Sequence, residues 1–259
     1  CGSSIEDPHG AAGGAVEPGD ALEEGGLAAP GGADERGERI RAWLDASGVR
    51  VLAAPLDRTS TAAAVLSADG SATYEFDLQW RLDDVHAPRA GIVHSGSLAT
   101  QLEPGASQVG GIVAAMRTEA LVTYDPNIRP ALVDDPADVR HRVQRLVAAA
   151  DIVKASDEDV RWLYPDRDID DVAVEWLASG PTLVVITAGS GGATAYRTCG
   201  RHRVVAADTT VVDTVGAGLF EGVQLGQTAR ACADHSGSGH RVLLTSGAGT
   251  CRGRRTGRW

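Results

Sequence analysis

Apolar residues change their spacing several times along this chain. Ile40, Trp43 and Leu44 fall at helical spacing and stop at Gly48, after which Val49 to Ala53 reads as a strand. Two β-rich runs follow, Arg58 to Leu66 and Ser71 to Phe76, joined through Asp69-Gly70, a dipeptide that favours a hairpin turn. Beyond them the pattern alternates. Gly91 to Val93, Leu121 to Tyr124, Asp151 to Lys154 and Thr182 to Thr187 are short apolar strands. Between them lie helical stripes. Val109, Ile112, Val113 and Met116 make one; Val139, Val143, Leu146 and Val147 make the next, behind an Asp135-Pro136 start. Trp162 and Leu163 close a short helix, and Val172, Trp176 and Leu177 mark another, stopped by Gly180-Pro181. Strands alternating with helices need crossover connections, so the rhythm predicts an α/β fold: a mostly parallel sheet with helices on both faces. The hairpin at about 58–76 is a small appendage to that sheet. Ala193 to Ala207, with Cys199-Gly200 between β-like runs, predicts a second hairpin.

The two ends lack this order. Residues 1–33 are rich in Gly, Ala, Pro and Glu without a steady period, and are expected to be poorly ordered. Residues 219–259 are dominated by Gly, Arg, Ser, Thr and Ala and finish in a basic run to Trp259. A disordered basic tail and translation out of frame both fit that run. Cys1-Gly2-Ser3-Ser4 fits the start of a lipidated protein, against the plainer reading of a truncated reading frame. The folded core is therefore expected over 34–218.

With 259 residues, 43% of them hydrophobic, the chain can bury one sizeable core. Its formal net charge of -11 argues against nucleic acid and anionic lipid as partners. No apolar run reaches membrane-spanning length, so no membrane association is expected. The four cysteines, Cys1, Cys199, Cys232 and Cys251, form no C-x-x-C pair and fit a reducing, cytoplasmic compartment. The histidines show no metal-ligand spacing.

Four segments carry candidate chemistry. Val211-Val212-Asp213-Thr214-Val215-Gly216-Ala217-Gly218 follows a strand-like run. Its glycines would let backbone N–H groups point at an anion; a plain glycine turn is the bland alternative. Asp125-Pro126-Asn127-Ile128-Arg129-Pro130 follows a strand, so its polar groups fall at a carboxyl end, where open α/β sheets bind ligands. Ser156-x-x-Asp159 opens a helix and reads equally as a capping box. Thr187-Ala188-Gly189-Ser190-Gly191-Gly192 half-imitates a dinucleotide fingerprint. Thr194 stands where the third small residue belongs, and a hairpin follows instead of a helix, so an oxidoreductase is rejected.

Together these segments resemble the ribokinase-like (PfkB) carbohydrate kinases, and the chain looks most like bacterial fructokinases among them. The family signature Asp-Thr-Val-Gly-Ala-Gly-Asp is matched from Asp213 to Gly218, but Leu219 stands where the catalytic Asp belongs. The resemblance implies ATP-dependent phosphorylation of a small sugar, with ATP and Mg2+ as cofactors. It implies an anion hole at Gly216, Ala217 and Gly218, and sugar or transferred-phosphate contacts from Asn127, Arg129 and Gly96. It also implies nucleotide contacts from Lys154, Ser156, Asp159, Thr187, Gly189, Gly192 and Thr214, with Asp159 beside the metal. The 58–76 hairpin resembles the family's lid over the sugar, through which a homodimer is expected. Members also begin with a strand and a Gly-Gly-x-x-x-Asn segment; Gly13-Gly14 lacks the Asn, so that piece is expected to be absent.

Overall fold

A computed structural model of the chain describes residues 25–28, 32–66, 72–83, 85–133, 135–206 and 242–245. The backbone runs β1 (Gly25–Ala28), α1 (Glu35–Asp45), β2 (Val49–Leu52), β3 (Thr61–Leu66), β4 (Ala72–Asp77) and β5 (Ile92–Gly96). It continues α2 (Gly105–Met116), β6 (Leu121–Asp125), α3 (Pro136–Ala149), β7 (Ile152–Ser156), α4 (Asp157–Leu163) and α5 (Ile169–Ser179). The last elements are β8 (Leu183–Thr187), β9 (Ala193–Arg197), β10 (Gly200–Val204) and β11 (Val242–Thr245).

Nine strands make one sheet in the order β10-β9-β8-β7-β6-β5-β11-β1-β2. Pairing from β8 through to β2 is parallel, and β9 and β10 add an antiparallel edge. The alternating rhythm therefore gives the parallel sheet it predicts. In the Cys199 hairpin Gly200 pairs with Arg197, leaving a two-residue loop, and Gly200 takes a φ of 136° that suits glycine. The other hairpin, β3–β4, stands apart as a two-stranded antiparallel sheet; its Asp69-Gly70 turn lies outside the described residues.

Two expectations need correction. Residues 25–28 form a strand inside the segment expected to lack order, and 242–245 form another inside the tail. Neither Gly-Gly-Leu-Ala nor Val-Leu-Leu-Thr has a long apolar pattern of its own. Each is paired on both sides, β1 between β11 and β2, and β11 between β5 and β1. Pairing with neighbours, more than local propensity, makes such short strands.

The larger core cluster lies on one face of the sheet. Side chains alternate along each strand, so Val93, Val122, Tyr124, Val153, Ala155, Val184 and Ile186 share that face. Val109 and Val113 of α2, Val139, Val143 and Val147 of α3, and Val160, Val172 and Trp176 of α4 and α5 pack on it. Trp176, 2% exposed, meets Tyr164 edge to face with ring centroids 6.3 Å apart. Truncating such a ring typically costs about 3–5 kcal/mol.

The roots of the β3–β4 hairpin are fastened to α1. Asp34 caps α1 by accepting from Gly37 N (2.9 Å), and it also accepts from Thr59 N (2.8 Å) and the Thr59 hydroxyl. Gly32 donates to that same hydroxyl. It lies so close to the Arg58–Thr59 backbone that a Cβ would sit 2.2 Å from the Arg58 carbonyl carbon. Ser60 both donates to Gln79 O and accepts from Gln79 N, each at 2.9 Å, which ties the two hairpin arms together at their base.

Candidate functional site

The carboxyl ends of β5 to β8 supply the site. Gly96 pairs with Asp125 across β5–β6, and Ser156 pairs with Thr187 across β7–β8. The backbones of β5 and β6 approach closely here. A Cβ on Gly96 would lie 2.1 Å from the Asp125 carbonyl oxygen, which explains a glycine at this strand end.

The turn after β6 is unusual. Asn127 takes a φ of 37°, and Ser97, just past the end of β5, takes a φ of 51°. They are the only non-glycine residues with positive φ among those described. Ser97 Oγ donates to Asn127 O at 3.2 Å, so the two strained positions touch. Strain of this kind concentrates where function needs a fixed geometry. Arg129 Nη1 folds back onto Asn127 Oδ1 at 2.8 Å. That bond fixes the amide with its carbonyl toward Arg129, and the amide nitrogen then remains the group free to turn outward.

Ser156 and Asp159 form a full capping box at the start of α4. The Asp159 carboxylate also reaches the other turn: its Oδ1 accepts from Ile128 N at 2.7 Å, while Oδ2 accepts from Ser156 N (3.0 Å) and Ser156 Oγ (2.7 Å). One side chain thus joins the 125–129 turn to the β7–α4 junction. With three of about four acceptor positions taken, its chief work is structural. Among the described residues no group of three or more His, Cys, Asp or Glu side chains could hold a metal ion. A resident magnesium cage does not fit these residues; an ion carried in on phosphates with its own waters needs only one or two carboxylates.

Lys154 Nζ pairs with Asp125 Oδ2 at 3.2 Å, with side chains only 12% and 7% exposed. Asp125 Oδ1 finds no partner among the described residues. Burial pushes the Asp125 carboxyl up to about 6 despite the opposing pull of Lys154. His94, paired with the Thr123 hydroxyl at 2.7 Å, is brought down to about 4 by burial and then by Lys154, and so is neutral near pH 7. Lys154 is the sole lysine of the chain. In this arrangement its charge answers Asp125.

The Thr187–Gly192 segment closes into a short turn after β8, with Ala188 N donating to Gly192 O at 2.8 Å. Gly189 and Gly192 both have positive φ, 51° and 86°. Gly192 also presses on β10: a Cβ there would fall 2.0 Å from Val204 O. The structure thus brings Gly96, Asn127, Arg129, Lys154, Ser156, Asp159 and Thr187 to one edge of the sheet. Thr214, Gly216, Ala217, Gly218 and Leu219 lie outside the described residues.

Sequence alone does not show what Ser97 and Gln101 do: both act through long-range contacts, Ser97 from the same glycine-serine strand end that carries Gly96. Gly31-Gly32 was legible: it follows β1 and precedes α1, the strand–Gly-Gly–helix order that Gly13-Gly14 failed to supply. Counting Gly-Gly-x-x-x-Asn from Gly31 places Arg36 where the Asn belongs.

Comparison with known proteins agrees with this fold. The profile of the pfkB family carbohydrate kinases matches residues 22–218, a span that takes in β1 and the Gly31-Gly32 pair that follows it in sequence. A fructokinase of Rhizobium leguminosarum bv. trifolii is 35% identical over 199 residues, 71% of this chain and 60% of that protein. One from Klebsiella pneumoniae is 33% identical over 170 residues, 62% of this chain and 55% of that protein. The chain thus spans well under two thirds of the length of these relatives. In structure it is similar to the fructokinase of Vibrio cholerae O395 solved with fructose, ADP and a calcium ion. The TM-score is 0.64 at 26% identity, covering 80% of this chain and 70% of that one. The fold is ribokinase-like, and the chain belongs to the pfkB family of carbohydrate kinases.

Proposed function

We propose that this chain carries the sugar and nucleotide sites of an ATP-dependent fructokinase but transfers the phosphoryl group poorly. One observation supports this most: Asp159 bonds both the Asn127–Arg129 turn and the start of α4, so the two halves of a kinase site meet at one sheet edge. The relatives named as fructokinases, and the Vibrio cholerae structure holding fructose and ADP, support fructose and ATP as the ligands.

In this reading Gly96, Asn127 and Arg129 face the sugar. Lys154, Ser156, Asp159, Thr187, Gly189, Gly192 and Thr214 line the nucleotide side. Backbone N–H groups of Gly216, Ala217 and Gly218 hold the charge that develops on the transferring group. A primary sugar hydroxyl must lose its proton as transfer proceeds, and Leu219 offers no acceptor where the family has Asp. Loss of a general base typically lowers the rate by about 10²–10⁴. That residue also favours a second reading, a non-catalytic nucleotide-binding chain or a mistranslated fragment, which the DNA around codon 218 would distinguish. The folded unit over 34–218, extended by β1 and β11, a homodimer formed through the hairpin and a cytoplasmic location belong to the same proposal.

Isothermal titration with fructose, and with a non-hydrolysable ATP analogue, tests the binding part. The expected result is saturable heat for both ligands. No binding of either would overturn the reading.

A further inference from the structure

The turn that bears Asn127 is held at three consecutive residues by side chains from elsewhere. Gln101 Nε2 donates to Pro126 O at 3.0 Å, Ser97 Oγ donates to Asn127 O at 3.2 Å, and Asp159 Oδ1 accepts from Ile128 N at 2.7 Å. Two of these holders are themselves costly to the fold. Ser97 sits at a φ of 51°, where a serine is strained. Gln101 is 5% exposed, and its Oε1 has no partner among the described residues, a burial that normally destabilises. Both are nevertheless locked in place. Thr100 Oγ1 donates to Ser97 O at 2.9 Å, and Arg142 Nη1 donates to Gln101 O at 2.6 Å. A glycine at 97 or an apolar side chain at 101 would remove these local costs. What each would lose is its bond to the 126–127 peptides.

We infer that Ser97 and Gln101 are positioning residues that preset the left-handed Asn127, and with it the Asn127–Arg129 pair, for the sugar. The inference rests on the proposed sugar role of Asn127 and Arg129. A turn held in advance avoids the ordering cost that binding would otherwise bear, so the clamp acts on affinity. It joins the strand-end segment 96–101, which carries no assigned chemistry beyond Gly96, to the acceptor side of the site.

The test uses the full chain and two variants, Ser97→Gly and Gln101→Met. Ser97→Gly relieves the positive φ and deletes the hydroxyl; Gln101→Met keeps the volume and deletes the amide. Three quantities are read: the melting temperature, the Kd for fructose by calorimetry, and the hydrogen-exchange rate of the Ile128 amide. The expected result is a melting temperature within about 3 °C of the parent or above it. Fructose Kd should rise by about three- to tenfold in each variant, the worth of one hydrogen bond. Exchange at Ile128 should quicken. A fructose Kd unchanged in both variants would overturn the inference. So would affinity lost only in step with a large fall in melting temperature, which marks a merely structural role. A parent that binds no fructose would sink the fructokinase reading instead. Exchange at Ile128 then judges the clamp by itself: faster in both variants supports it, unchanged overturns it.

Discussion

Replacing Lys154 with methionine removes the cation that answers the buried Asp125 carboxylate. At 3.2 Å the pair attracts by about 5 kcal/mol if the effective dielectric is near 20. Desolvation outweighs this attraction, which is why the Asp125 carboxyl lies above its usual range. Because the folded value of about 6 exceeds the usual 3.8, the native state binds the proton more tightly than the unfolded chain. Stability from this group is therefore full below about pH 4 and falls as pH rises through 6, by roughly 3 kcal/mol in all. In Lys154→Met the carboxylate has no cation, so its folded value climbs further and the loss extends to higher pH. The variant should lose about 3–5 kcal/mol near pH 8, where a lone charge stays buried, and clearly less near pH 5, where Asp125 is protonated. The double variant Asp125→Asn, Lys154→Met should recover most of the loss. Guanidinium denaturation of the parent and both variants at the two pH values measures this. A loss at pH 8 below about 1 kcal/mol, or one larger at pH 5, would mean that Lys154 does not balance the Asp125 charge.

Two further outcomes follow from local geometry. Gly96→Ala drives a methyl to 2.1 Å from the Asp125 carbonyl oxygen, a backbone atom with nowhere to go, and should cost more than about 3 kcal/mol in chemical denaturation. An unaltered midpoint would show that β5 and β6 can part. Thr59 and Gly37 bonds hold the Asp34 carboxyl down at about 2, below its usual 3.8, so its contribution is full above about pH 4 and fades as pH falls toward 2. Asp34→Ala should therefore flatten that part of the acid limb followed by circular dichroism, and an unchanged slope would count against the link to the hairpin root.

Apolar spacing made much of the fold legible, because helices α2 to α5 and strands β5 to β8 each carry a full stripe facing a shared core. The two short strands β1 and β11 were illegible for the opposite reason: their pairing partners decide them. At the site, the motifs at 125–129, 156–159 and 187–192 lie at the carboxyl ends of neighbouring strands, while 214–218 lies outside the described residues. Their chemistry was only partly readable. Asp159 looked like a metal neighbour or a cap; the cap is realised, and its second bond to Ile128 joins residues 31 positions apart. Gln101 and Ser97 reach their targets over separations of 25 and 30 residues. Nothing in a Gly-Ser-Leu run announces that its serine will take a left-handed backbone.

In the proposed reading a fructokinase site is present, and phosphoryl transfer is limited by the residue after Gly218. A coupled ADP-release assay with ATP and fructose tests it on the chain itself, on Leu219→Asp, and on a chain whose ends are rebuilt to the family pattern. The unmodified chain should show little or no fructose-dependent turnover, Leu219→Asp alone should rescue it weakly, and rebuilding should restore transfer. Robust fructose-dependent turnover by the unmodified chain would contradict it.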